Sequence, residues 1–169
     1  ESLTAITRLL ACEEPVTMKT DWFELNEARL QMTPYSRPSV EICAASQVSP
    51  TGASAAGRHG LGLLSIGATQ SGGFNALASN WAIAEEKARE TGHTMDRSGW
   101  RLVGPMHIAE TREQAREEVR FGLQNWLYYF QEVAALPLAP QDGSDPIDAL
   151  IASGATTAGG TGGRPAAAW

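Results

Sequence analysis

The sequence has 169 residues, of which 43% are hydrophobic and 19% are charged, a composition typical of one globular domain with a sizeable core. Its formal net charge of −6 argues against a nonspecific nucleic-acid binder, because such a protein needs a basic face to neutralise phosphates. No apolar run approaches the ~20 residues that a membrane helix needs, so we expect no membrane partner either.

The first predicted elements are a helix and a hairpin. Apolar residues at helical spacing predict a helix over residues 2–12, and Glu13-Glu14-Pro15 ends it. Residues 16–25 and 28–32 are predicted strands, joined by a turn at Asn26-Glu27. Because the helical pattern is already present at the first residues, we expect this sequence to be a piece of a longer chain.

A βαβ unit is predicted next. Residues 40–45 and 61–66 are apolar enough for strands, and the small residues from 49 to 57 form a helix between them, so the strands should be parallel. The two cysteines, Cys12 and Cys43, do not have metal-ligand spacing. Cys43 falls in the first of these strands and is expected to be a buried, reduced thiol, which fits a cytoplasmic location.

Two further helices flank a third strand. An apolar stripe predicts a helix over residues 74–91, which Gly92 ends, and residues 100–108 are the predicted strand. Thr111-Arg112-Glu113-Gln114 is a capping box that opens the last predicted helix. The stripe of the first helix consists of Leu77, Trp81, Ala84 and Ala88, and the apolar face of the second consists of Ala115, Val119, Gly122, Leu123, Trp126, Leu127 and Phe130.

The alternation of strands and helices predicts an α/β fold, either a barrel or an open doubly wound sheet. About three βα units cannot close an eight-stranded barrel, which typically takes about 250 residues. Residues 158–169 are rich in glycine and alanine and are expected to be a disordered tail.

The segment most suggestive of function is the loop that leads into the helix at residue 49. Ser49 is a favoured N-cap residue and Pro50 a favoured first helical residue, which would leave the backbone N–H groups of Thr51 and Gly52 free. Free amides, a hydroxyl and the positive end of the helix dipole suit a phosphate at the carboxyl end of a strand. The alternative is that Ser49 only caps its own helix. Gly60 and Gly62 lack the spacing of a dinucleotide-binding loop.

The three histidines are scattered in the sequence. His59 and His93 are expected at a helix end and in a turn, exposed to solvent. His107, near the carboxyl end of a strand, could face a site, but without an identifiable partner it is more simply structural. No Ser–His–Asp or metal-ligand spacing is present in the sequence.

Several segments, in this order and spacing, resemble the bacterial-luciferase-like flavin-dependent monooxygenases, and within them the limonene monooxygenase-like subgroup. They cover about residues 2–157, an incomplete barrel domain. The matching motifs are Ile6-Thr7-Arg8-Leu9-Leu10, Glu14-Pro15-Val16-Thr17, Trp22-Phe23, Arg37-Pro38-Ser39-Val40-Glu41-Ile42, Ser49-Pro50, Ala55-Ala56-Gly57-Arg58-His59-Gly60, Ala109-Glu110-Thr111, Glu113-Gln114-Ala115 and Ala152-Ser153-Gly154-Ala155.

The resemblance implies a luciferase-like TIM (β/α)8 barrel, present here as about three βα units plus a β-hairpin excursion. It implies reduced FMN as cofactor, with O2 and a small organic, for example terpene-like, substrate. The phosphate contacts of the family carry over to Val48, Ser49 and Gly52, and no catalytic residue carries over. A flavin reductase is the expected partner, and a homo- or hetero-oligomer is left open.

Two departures from the family pattern matter. Gly67 stands where some members carry a tryptophan beside the flavin ring. The early strands of the barrel are not in this sequence, so the isolated 169 residues are expected to be inactive. A deazaflavin-dependent oxidoreductase on the same barrel and a non-catalytic truncated remnant remain as alternatives.

Overall fold

The structure is a computed structural model that describes residues 1–36, 40–135 and 143–158. The chain divides into two compact units. The first comprises Glu1–Ser65 and Ala78–Arg101, and the second comprises Ile66–Leu77 and the chain from Leu102 onward. The predicted tail from residue 159 and part of the connector between Pro34 and Pro38 lie outside the described residues.

The described elements are, in chain order, helix α1 (Ser2–Ala11), strands β1 (Val16–Lys19), β2 (Glu24–Ala28) and β3 (Cys43–Ser46), helix α2 (Thr51–His59), strand β4 (Gly62–Ile66), helix α3 (Ser71–Glu90), a short 3-10 helix (Arg97–Gly99), strand β5 (Arg101–Val103), helix α4 (Arg112–Tyr128), a π-helical turn (Tyr129–Val133) and helix α5 (Pro146–Ala158). None of the helices in the described ranges is both long and apolar enough to cross a membrane.

The hairpin is present, but the predicted position of its turn was wrong. β1 and β2 pair antiparallel, with Lys19 opposite Glu24, so the turn lies at residues 20–23. Thr20 closes this turn because its Oγ1 donates to Phe23 C=O at 3.0 Å and accepts from Phe23 N–H at 3.1 Å. Glu27, in the predicted turn, does have a positive φ of 48°, but it lies where the strand register shifts. A β-bulge therefore produced the local turn signal.

The βαβ prediction is confirmed. β3 and β4 pair parallel, with Cys43 opposite Gly62 and Ser46 opposite Ser65, and the three-stranded sheet has the order β3-β4-β5. β3 begins three residues later than predicted, at Cys43, where its pairing with β4 starts. Cys43 is a free thiol but is half-buried rather than buried.

The core of the first unit joins α2, β4 and α3. Its buried members are Ala53, Ala56, Leu63, Trp81 and Ala84. The predicted stripe on α3 is correct, since Leu77, Trp81, Ala84 and Ala88 are all buried. Trp81 stacks on Trp100, with ring centroids 4.7 Å apart, and the Trp100 indole N–H donates to Ser65 Oγ at 2.9 Å.

The third predicted strand is much shorter than expected. Only three residues, Arg101–Val103, are extended in the sheet. A Cβ at Gly104 would overlap the Thr69 hydroxyl. Pro105 has no N–H for strand pairing, and its carbonyl accepts a hydrogen bond from Thr69 Oγ1 at 2.9 Å. The chain beyond β5 therefore packs on the Thr69 side chain instead of continuing the ladder.

Helix α4 begins as predicted. Thr111 Oγ1 accepts from Gln114 N–H at 3.1 Å, but the Gln114 side chain donates to Glu118 Oε1 at 2.7 Å rather than completing the capping box. The helix α5 was not predicted. Asp145 Oδ1 accepts from the amides of Ile147 and Asp148 and so caps its start.

Gly57 should tolerate no side chain. A Cβ at this position would overlap the carbonyl oxygen of Ala84 and lie 2.9 Å from Ala88 N, both backbone atoms of α3 that cannot swing aside. We expect Gly57→Ala to lower the free energy of unfolding by about 1–3 kcal/mol. Gly122→Ala is the control, because that position in α4 has open space and should gain up to about 1 kcal/mol of helix propensity. Chemical denaturation of both variants measures the difference, and equal stability would contradict the close helix contact.

His59 should make the stability fall in acid. Burial, followed by the positive charges of the amino terminus, His93 and Arg58, lowers the pKa of His59 from its ordinary value of 6.5. Because the pKa is lowered, folding disfavours the protonated form of His59. The resulting contribution to the free energy of unfolding is fully present above pH 6.5 and is lost as the pH falls below it. His59→Gln should flatten the fall in melting temperature between about pH 7 and about pH 5. An unchanged slope would show that His59 does not contribute.

Candidate functional site

The candidate site is the Ser49 turn, which we define as residues 46–51, between the end of β3 and the start of α2. Two carbonyl groups of this turn are bound from the inside of the first unit. Ser46 Oγ, 5% exposed, donates to Ser49 C=O at 2.7 Å, and Asn80 Nδ2 of α3 donates to Gln47 C=O at 2.8 Å. Two buried side chains therefore hold the turn in place on its protein-facing side.

The outer side of the turn carries two hydroxyl groups. Ser49 and Thr51 are both exposed, and Ser49 Oγ lies 2.9 Å from Thr51 Oγ1. The Ser49 hydroxyl is 3.4 Å from Thr51 N, too far for a strong hydrogen bond. The helix begins at Thr51 with Pro50 as N-cap, one residue later than predicted, and Pro50 makes no side-chain cap. Helix capping therefore does not account for the Ser49 hydroxyl.

The start of α2 offers backbone donors next to these hydroxyls. The first backbone hydrogen bond of the helix runs from Ser54 N to Pro50 O at 2.8 Å, so the amides of residues 51–53 precede the helical ladder. The aligned peptides also place a partial positive charge at this end. The surrounding sequence adds no negative charge, because residues 42–84 contain no aspartate or glutamate.

Gly52 is required by packing. A Cβ on Gly52 would overlap the carbonyl oxygen of Ala45 in β3. The missing side chain at Gly52 therefore leaves room for the strand. Its amide still belongs to the first turn of α2, and Val48 beside it is 60% exposed. The side of Gly52 that faces the protein is therefore closed to substitution, whatever its amide binds.

The residues present fit a phosphate group. Two exposed hydroxyls, the first-turn amides of a nine-residue helix and an acid-free surrounding sequence are the donor set that an anion of this size needs. FMN, the cofactor that the family resemblance implies, carries such a phosphate. Sequence reasoning missed Ser46, Asn80 and the Thr51 hydroxyl. A signal for Asn80 exists, because it is a polar residue on the buried stripe of α3, between Leu77 and Ala84.

The other candidate residues lie elsewhere. In the second unit His107 does have a partner, because its Nε2 lies 2.7 Å from Glu118 Oε2, and this hydrogen bond, followed by that from Gln114, lowers the pKa of Glu118. Both side chains are exposed. Within the described part of the chain, no group of three or more His, Cys, Asp or Glu side chains could hold a metal ion. His107 is thus a surface residue that is hydrogen-bonded to Glu118.

Gly67, also in the second unit, has a φ of +70°. Only glycine adopts this left-handed conformation without strain, so the backbone itself disfavours a tryptophan at this position. The flavin-ring contact that some relatives make there is therefore not available with this backbone.

The chain matches the model of the luciferase-like monooxygenase family over residues 1–155. It is 43% identical over 159 residues to limonene 1,2-monooxygenase of Rhodococcus erythropolis, covering 94% of this chain and 40% of that protein. It is 41% identical over 138 residues to 4-hydroxyprotoasukamycin monooxygenase of Streptomyces nodosus subsp. asukaensis, covering 80% of this chain and 36% of that protein. The chain thus spans less than half the length of these relatives.

Solved structures support the fold. The oxygenating constituent of 3,6-diketocamphane monooxygenase from Pseudomonas putida, a complex with FMN, aligns with a TM-score of 0.58 and 22% identity, over 90% of this chain and 46% of that one. Monooxygenase RslO1 from Streptomyces bottropensis aligns with a TM-score of 0.57 and 19% identity, over 78% of this chain and 39% of that one. The parallel βαβ unit is therefore part of a luciferase-like TIM barrel, and the chain belongs to the luciferase-like monooxygenase family.

Proposed function

We propose that this chain supplies the phosphate-binding part of an FMN-dependent monooxygenase that uses reduced flavin and O2 to oxygenate a small organic, terpene-like substrate. The observation that carries the cofactor assignment is the exposed hydroxyl pair of Ser49 and Thr51 at the start of α2. The names of the two curated relatives support the monooxygenase reaction, and the name limonene 1,2-monooxygenase supports the substrate class.

In this proposal Ser49 Oγ and Thr51 Oγ1 donate to phosphate oxygens, and the amides of Val48 and Gly52 donate beside them. A phosphate dianion accepts several such bonds at once, and charge-assisted hydrogen bonds are about twice as strong as neutral ones. The backbone of the turn is already in place for the ligand, since Ser46 and Asn80 hold its carbonyls. The hydroxyl that donates between Ser49 and Thr51 only has to rotate its proton toward the phosphate. The residues of the Ser49 turn thereby fix one end of the cofactor.

When bound, the reduced flavin supplies the electrons that activate O2, and the protein supplies position and a dry pocket. We further propose that a flavin reductase delivers the reduced cofactor, as the family resemblance implies. The chain spans 40% of the length of limonene 1,2-monooxygenase, so we assign to it only the phosphate end of the cofactor site.

Replacing the Ser49 hydroxyl should weaken binding of the phosphate specifically. In the protein as its gene encodes it, we expect Ser49→Ala to raise the Kd for reduced FMN roughly ten- to a hundredfold, the value of a hydrogen bond to a charged group. The Kd for reduced riboflavin, which has no phosphate, should stay nearly constant. Anaerobic titration with both flavins measures this selectivity. The melting temperature should hardly change, because Ser49 does not cap α2.

Ser54→Ala is the matched control, since it removes a hydroxyl from α2 one turn farther from the site, and both affinities should be retained. Equal loss of affinity for FMN and riboflavin in Ser49→Ala would rule out the phosphate contact. Titration of the wild type with a deazaflavin cofactor gives the competing assignment its own test. Tight deazaflavin binding together with weak FMN binding would contradict the monooxygenase assignment and support a hydride-transferring oxidoreductase instead.

A further inference from the structure

Asn80 is the least expected residue near the Ser49 turn. It lies on α3, 33 residues along the chain from Gln47, and is only 1% exposed. Its neighbours on the helix are apolar and buried, among them Leu77, Trp81 and Ala84. A buried side-chain amide in an apolar stripe costs stability unless it is hydrogen-bonded, and its Nδ2 donates to Gln47 C=O at 2.8 Å.

This hydrogen bond determines how the peptide between Gln47 and Val48 is oriented. A trans peptide is planar, and its C=O and N–H groups point in opposite directions. Because Asn80 holds the Gln47 carbonyl on the buried side, the Val48 N–H is directed to the opposite side, where Val48 itself is 60% exposed. The Ser49 and Thr51 hydroxyls of the same turn are exposed as well.

We propose that Asn80 is a positioning residue of the cofactor site: it turns the negative end of the Gln47–Val48 peptide away from the phosphate and the Val48 N–H toward it. This inference rests on the proposed function, since it assumes a phosphate at the Ser49 turn. Without the Asn80 amide, the Gln47 carbonyl loses its buried partner. Rotation of the peptide toward water would then direct a carbonyl oxygen at the anion.

The geometry makes the role of Asn80 separable from that of the core around it. Ala84, one turn further along α3, is fully buried and contacts α2 through its carbonyl oxygen near Gly57, but it has no hydrogen bond to the Ser49 turn. A variant at Ala84 therefore destabilises α3 without altering the Gln47–Val48 peptide. Asn80 differs because it joins the helix to the turn itself.

The test compares Asn80→Leu, which keeps the branched shape of the side chain but removes the donor, with Ala84→Gly in the protein as its gene encodes it. The measured quantity is the ratio of the Kd for reduced riboflavin to the Kd for reduced FMN, with melting temperatures alongside. We expect Asn80→Leu to reduce this ratio roughly five- to tenfold, the effect of one hydrogen bond. Ala84→Gly should lower the melting temperature but leave the ratio unchanged, because a merely structural loss acts on both flavins alike.

Asn80→Ala is the second variant if Asn80→Leu does not fold. It is smaller than asparagine and has no side-chain donor for the Gln47 carbonyl, so the ratio should fall as well. A wild-type ratio near one would overturn the proposed phosphate site together with this inference. A high wild-type ratio that survives in the Asn80 variants would overturn the role of Asn80 alone and leave the phosphate site standing.

Discussion

The close approach of α2 to its neighbours is the constraint on which the first unit depends. The inner face of this helix carries only glycine and alanine: Gly52, Ala53, Ala56 and Gly57. At its start Gly52 lies against the Ala45 carbonyl of β3, and at its end Gly57 lies against the Ala84 carbonyl of α3. Backbone contact at both ends fixes where the first turn of α2 lies relative to β3, and therefore where the Ser49 and Thr51 hydroxyls lie.

A helix with so little side-chain volume leaves space that other residues must fill. Trp81 and Trp100 do so, stacked with an interplanar angle of 23°, and the Arg97 guanidinium lies 5.2 Å from the Trp81 ring. Among the described residues the Trp81 indole N–H is buried without a hydrogen-bond partner, which costs about 1–3 kcal/mol. Large aromatic rings thus fill the space beside the small inner face of α2, but the buried Trp81 indole N–H is left without a hydrogen bond.

How much could be predicted from the sequence depended on whether the deciding interaction was local. The stripe of α3, the Thr111 cap and the parallel βαβ unit follow from periodicity and capping chemistry, and all three predictions are confirmed. The hairpin turn was misplaced because Thr20 bonds across the turn while Glu27 forms a bulge. Asn80 was missed because its partner, Gln47, is far away in sequence, and periodicity gives no information on such a contact.

An acidic chain can bind a phosphate because the relevant field is local. The net charge is −6, but the Ser49 turn, α2, β4 and most of α3 lie within residues 42–84, which contain no aspartate or glutamate and in which Arg58 and His59 are the basic side chains. Charges farther away than the Debye length of about 8 Å are largely screened at physiological ionic strength. The amides of residues 51–53 and the two hydroxyls act at hydrogen-bond distance, without such screening. In the proposed function, the local arrangement of donors, rather than the net charge, therefore decides which anion the Ser49 turn binds.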